Sequence, residues 1–147
     1  MKLSPFLEDD PPASVCAYQA ESVVAEKVET LVAKFPVVAH RLKDVLDVVM
    51  LSERLEFDGP GLVRSLQATF CRRATRPDLA VLDDIRETLK GRAWETDWST
   101  MVRDKAVTNA PTLAQAVAKF DVFVRPVIVA LADGPVLVRW PATGPWK

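Results

Sequence analysis

Apolar residues recur at helical spacing through most of the chain. Val24, Val28, Leu31 and Phe35 fall at i, i+4, i+7 and i+11. That stripe predicts a helix over Glu21 to Phe35, stopped by Pro36. Leu42, Val45, Leu46 and Val49 predict a second helix over Arg41 to Glu53. The short Val-Val-Ala-His connection predicts that the two pack as neighbours. Asp58-Gly59-Pro60 opens a third helix, with Asp58 as N-cap, Pro60 in the first turn, and Leu62, Leu66 and Phe70 on its inner face. Asp78 caps a fourth that ends near Gly91, and Trp94 and Trp98 share a face of a fifth, from Ala93 to Lys105. Thr112-Leu113-Ala114-Gln115 is a capping box for the last long helix, which Pro126 either kinks or divides. Ser14 to Tyr18 is short and β-prone and predicts a strand, although a lone strand needs a partner for its backbone groups.

The pattern therefore predicts a mainly α protein: a helical bundle of about five to six helices with one or two short N-terminal strands. Residues 1–14, with Glu8-Asp9-Asp10-Pro11-Pro12, read as an extended leader, and 15–133 as the helical domain. Residues 134–147, rich in Pro, Gly and Trp, read as an irregular tail.

Composition narrows the chemistry. With 147 residues, 49% of them hydrophobic and 27% charged, the chain has the makeup of one globular domain. Nineteen Lys and Arg against 20 Asp and Glu leave a net charge of -1, which excludes electrostatic wrapping of DNA by the chain as a whole. Five glycines leave little room for phosphate-cradling glycine loops, and a single histidine, His40, excludes a histidine metal cage. Cys16 and Cys71 are far apart in sequence and read as free thiols in a reducing cytoplasm. Leu113 to Ala132 is long enough to cross a bilayer, but Gln115, Lys119, Asp121 and Arg125 would be costly in lipid. The expected setting is cytoplasmic, with no membrane contact.

The first two helices carry the candidate chemistry. Lys27 lies near the edge of its apolar stripe, where a lysine lays its stem on the core and lifts its ammonium into a cleft. Asp44 and Asp47 are three apart and share a face, placed by periodicity opposite Leu42, Leu46 and Val49. A lysine and carboxylates on neighbouring helices could grip a polyphosphate or hold Mg²⁺. The same residues also read as a surface ion pair, Lys43 with Asp47, and as acids that complement a helix dipole. Arg72, Arg73 and Arg76 form a basic cluster that could meet RNA phosphates, or simply complete a helix C-terminus. Trp94 and Trp98 could stack on a base or form a core face. Asp9-Asp10 and Asp83-Asp84 are adjacent acids, which on strands would point to opposite faces and could not share a metal.

Ala25-Glu26-Lys27 followed by Arg41-x-Lys43-Asp44-x-x-Asp47 resembles the nucleotidyltransferase toxins of the AbiEii/AbiGii family, the toxin halves of bacterial abortive-infection (phage-defence) toxin–antitoxin systems. Tyr18, Glu21, Leu51, Phe57-Asp58-Gly59 and Ala68-Thr69-Phe70-x-Arg72-Arg73 extend the likeness. It covers Val15 to Arg73 and thins toward the C-terminus, where the Trp98 region and Phe120 onward still match. The resemblance implies the C-terminal half of a polymerase-β-type nucleotidyltransferase. It implies that Lys27 contacts nucleotide phosphates, that Asp44 is the acid of the second helical motif, and that Arg41 and Lys43 join the nucleotide contacts. Glu26 and Asp47 would be supporting residues, and Glu21 matches a position without an assigned role. Mg²⁺ and a nucleoside triphosphate are expected for the complete family enzyme, with tRNA a candidate acceptor and an antitoxin the expected partner.

The sequence departs from the family in one large respect. It holds no Gly-Ser turn and no Asp-x-Asp pair, which in the family bind the triphosphate and metal. The expectation is thus a truncated or partial nucleotidyltransferase, incomplete without an N-terminal half or second subunit, since nothing would stabilise charge developing at the α-phosphate. Loss of the sheet should leave an apolar, sticky face. The alternative is a non-catalytic helical module that binds an antitoxin or second subunit.

Overall fold

A computed structural model of the protein describes residues 13–37, 40–133 and 138–147. Its helices, in chain order, are α1 (Ala13–Lys34), α2 (Leu42–Arg54), α3 (Gly59–Arg72), α4 (Leu79–Thr88), α5 (Arg92–Asp104) and α6 (Leu113–Asp133). Two short strands, β1 (Phe57–Asp58) and β2 (Arg139–Trp140), pair antiparallel, with Phe57 opposite Trp140. The mainly helical architecture is the one the periodicity predicts, but the strands are placed differently. Ser14 to Tyr18 is the first part of α1, not a strand. Among the described residues no strand pairs with this segment, while Ala13, Ala17 and Ala20 favour continuing the helix. The sheet instead joins the loop before α3 to the tail. The leader through Pro12, with the Asp9-Asp10 pair, lies outside the described residues, as do 134–137.

Local signals fix the helix starts. The Asp58 carboxylate accepts the Gly61 N–H at 2.8 Å, and the Asp78 carboxylate accepts that of Ala80 at 2.9 Å. The α6 capping box closes in both directions: Thr112 N–H donates to Gln115 Oε1, and Gln115 N–H to Thr112 Oγ1. Pro126 interrupts nothing, since α6 runs through it. The proline removes the donor for the carbonyl of Val122, a residue exposed to solvent that can hydrate the freed oxygen.

The core lies where α1, α2, α3 and α6 meet. α1 packs along α3 and α2, and α6 packs on α2, α3 and α4. Glu21 approaches Gly61 near the start of α3, and Glu29 meets Arg73 just past its end, so α1 and α3 run in the same direction. A Cβ on Gly61 would come within 2.9 Å of carboxylate oxygens from both Glu21 and Asp58, so these side chains close in on the glycine at this crossing. Val24, Val28, Leu31, Leu46, Val49, Leu62, Leu66 and Phe123 are buried at the centre. α5 is attached differently: among its residues only Trp98 is fully buried, and the indole N–H donates to the Pro111 carbonyl at 2.9 Å. Trp98 is thus a core anchor.

The tail closes the bundle. Trp140 is buried edge-on against Phe123, and Trp146 stacks on Phe123 with 6° between the rings. Their indoles donate to the carbonyls of Ser52 (2.7 Å) and Phe123 (2.9 Å), and the Thr143 N–H also donates to that of Ser52. Gly144 lies against the Trp140 ring at φ +76°, where a side chain would be both strained and obstructed. Among the described residues the exposed large hydrophobics are Val37, Leu79, Val122 and Val138. No helix among the described residues is long and apolar enough to cross a membrane.

Candidate functional site

Lys27 and the α2 acids meet across the α1–α2 interface. The Lys27 ammonium is 3.2 Å from Asp44 Oδ1 and 2.9 Å from Asp47 Oδ2. Arg41, one residue before α2, reaches Asp44 Oδ2 at 3.2 Å. Both oxygens of Asp44 are therefore engaged by cations, and the side chain is only 6% exposed. Asp44 and Asp47 lie opposite the Leu42, Leu46 and Val49 stripe, but that face is covered by α1 instead of being a surface. α2 is sandwiched between α1 and α6, so most of its circumference is buried, Asp44 included. A carboxylate persists there because two cations offset its desolvation.

Burial works against the charged form of Lys27, but hydrogen bonding and charge from Asp47, then Asp44, outweigh it. The lysine pKa is held above its ordinary 10.5. The cluster is charge-balanced, two cations on two carboxylates. Its ammonium has three donors and spends two on the acids, which leaves one for an incoming oxygen.

The remaining sequence candidates sit elsewhere. Lys43 is exposed and turned toward α5, where it lines a separate pocket with His40, Leu42, Asp97 and Met101. Glu26 and Arg73 approach each other at 3.5 Å on the far side of α1. Arg73 is held more firmly by Glu29, at 2.7 Å, and the Thr75 hydroxyl donates to the same carboxylate at 2.5 Å. Arg73 thus joins the end of α3 to α1 and is not free for a phosphate. Arg72 and Arg76 are exposed. Glu21 is half-buried; burial first, then the neighbouring charge of Asp58, raises its pKa above 4.5 against the opposing pull of Arg64.

Sequence reasoning missed Glu29, the buried centre of the Arg73 clamp. Its i, i+3 spacing from Glu26 was the available signal, but the partner lies 44 positions away in sequence. It also missed Arg125, which bonds Asp121 and reaches Asp83 at 2.6 Å to tie α6 to α4. Asp83 and Asp84 lie on α4, so the opposite-face argument for strands does not apply to them. Among the described residues no group of three or more His, Cys, Asp or Glu is placed to hold a metal ion.

Compared with known proteins, residues 1–124 match a family model described as nucleotidyl transferase AbiEii toxin, type IV TA system. No curated protein and no solved structure matches.

Proposed function

We propose that this chain, which belongs to the nucleotidyl transferase AbiEii toxin family of type IV toxin–antitoxin systems, supplies the helical lysine–aspartate half of a nucleoside triphosphate site in such a toxin. The observation that carries the reading is Lys27 suspended between Asp44 and Asp47 across two helices. Lys27 presents its remaining N–H to a phosphate oxygen. Asp44 and Asp47 fix the ammonium, and Arg41 adds a second positive group on the Asp44 carboxylate. Preorganisation of this kind aims charge before the ligand arrives, so little reorganisation is needed on binding.

The Gly-Ser turn and Asp-x-Asp pair that the sequence lacks would come from another polypeptide segment or subunit. The complete family enzyme is expected to use Mg²⁺. Arg72 and Arg76 are proposed phosphate contacts for an RNA acceptor, with tRNA the first to test. The proposed setting is the cytoplasm, and the proposed partner is a cognate antitoxin.

The test is equilibrium binding of nucleoside triphosphates to the purified chain, alongside labelled nucleotide transfer with Mg²⁺ and total tRNA. Weak triphosphate binding that falls about tenfold in Lys27→Ala, with no transfer by the chain alone, is the expected result. Robust transfer by the chain alone would refute its incompleteness. Triphosphate binding indifferent to Lys27 would refute the site.

A second reading is favoured by the internal charge balance of the cluster. In a non-catalytic helical module, Lys27 would be a clamp between α1 and α2. The same titration separates the two, because a pure clamp binds no triphosphate.

A further inference from the structure

Most residues of α6 are apolar, yet among the described residues only its inner side is covered, by α2, α3, α4 and α5. At about 100° per residue, Ala118, Val122, Pro126 and Val129 fall within one outward arc about 80° wide. Ala118 is exposed, and Val122 presents 54% of its surface to solvent. A helix apolar over most of its circumference is ordinarily buried over most of it, so this arc is a face without its cover. Beside Val122 lies a hollow of about 190 Å³, between α6 on one flank and the end of α2 and the tail on the other. That is below the roughly 300–1,000 Å³ of sites that enclose a small molecule, and it suits one inserted side chain. Glu53 of α2 and Lys119 of α6 also line the hollow, bonded to each other at 2.7 Å.

We propose that this face docks a second copy of the chain in a two-fold dimer. In a two-fold contact one patch meets itself, so it must carry both members of every interaction. This patch does so. It has a projecting side chain, Val122, and a hollow that admits one. It has one cation, Lys119, and one anion, Glu53, and so no net charge to repel its own copy. The complementary groups stand on opposite flanks: Val122 and Lys119 on α6, Glu53 and Trp140 on α2 and the tail. A two-fold axis along the groove between the flanks turns each α6 flank onto the α2 flank of the other copy. Val122 then enters the other hollow against Trp140, and Lys119 faces the second copy's Glu53. Replacing one ion pair by another adds little affinity, but it sets the register. A partner of opposite charge would call for a patch of one sign. None of Lys27, Asp44 and Asp47 lines this hollow, so the dimer does not rest on the nucleotide reading.

The test is sedimentation velocity of the full chain over a concentration series up to about 1 mM. The expected result is a reversible monomer–dimer equilibrium that Val122→Glu weakens about tenfold or more. Glu53→Lys and Lys119→Glu should each weaken self-association, the first by making the patch wholly basic and the second wholly acidic. An equimolar mixture of those two variants should associate again, because a basic patch then meets an acidic one. Val122, Glu53 and Lys119 all reach solvent, and far-ultraviolet circular dichroism of each variant shows whether the helices are kept. Recovery on mixing is not open to a misfolded chain, so it separates a lost contact from a lost fold. An unsubstituted chain that stays monomeric up to about 1 mM overturns the proposal and leaves the face to a different occupant. A dimer indifferent to Val122→Glu also overturns it, as does a mixture no tighter than either variant alone. Triphosphate binding in Lys27→Ala is judged apart from all of these, so either idea can fail while the other stands.

Discussion

Removing Lys27 would leave the Asp44 carboxylate in the α1–α2 interface with Arg41 as its remaining cation. Breaking a buried pair on one side is costly because the partner stays desolvated. Lys27→Ala should therefore lower stability by about 2–3 kcal/mol, discounted from a fully buried pair because water reaches Asp47. Denaturant unfolding checks this, and an unchanged midpoint would mean that the ion pairs are not formed in solution. A drop in activity on Lys27→Ala is therefore not evidence of chemistry unless folding is measured beside it. The milder probe is Asp47→Asn, since Asp47 is the more exposed acid. The Lys27 pKa is raised, so the stability it contributes is full below pH 10.5 and is lost as pH rises through the elevated value. Glu21 shows the same direction of pH dependence, but here the charged form present at neutral pH is the disfavoured one. Its raised pKa means that folding is favoured below pH 4.5 and penalised once pH passes its folded value. Glu21→Gln should raise Tm at pH 7, and the gain should vanish below pH 4.5. A gain that persists in acid would assign the effect to packing instead of charge.

At the scale of elements, most helix starts were legible because caps are local. Asp58, Asp78 and the Thr112–Gln115 box act over two or three residues, and each makes its bond in the structure. Lys27, Asp44 and Asp47 were legible as candidates, but the burial of Asp44 was not, since a wheel drawn for one helix assumes one buried face. α2 has two, toward α1 and α6, and only tertiary contact reveals the second. Helix ends hold a further consequence. Ala74 and Ala106 adopt φ of 55° and 53° just past the ends of α3 and α5. Thr75 N–H bonds back to the Phe70 carbonyl, and Val107 N–H to that of Val102, in the pattern glycine normally completes. Alanine pays a steric penalty there that glycine avoids. Ala74→Gly and Ala106→Gly should each stabilise by about 0.5–1 kcal/mol, measured as a rise in Tm. Destabilisation by both would show that the left-handed turns are not populated.

For the molecule as a whole, the tail is a structural member. From sequence alone, the segment that holds Trp140 and Trp146 reads as irregular because it is rich in Pro, Gly and Trp. Their burial depends on Phe57 and Phe123, distant in sequence, which no local pattern records. Trp140→Ala should cost about 3–5 kcal/mol, read from denaturant unfolding. A cost below 1 kcal/mol would mean that the tail is not docked. This latch lies beyond residue 124, where the family match ends. The chain thus covers Phe123 with its own aromatic residues.

The latch also makes the protein its own optical sensor. Two of the four tryptophans sit in it, one buried and one stacked, each indole N–H held by a backbone carbonyl. Undocking the tail would move both rings into water and shift their emission to longer wavelength while the helices, and the far-ultraviolet circular dichroism, stay intact. Binding of an antitoxin or nucleotide that tightens or frees this end of the bundle would thus be visible without any added label.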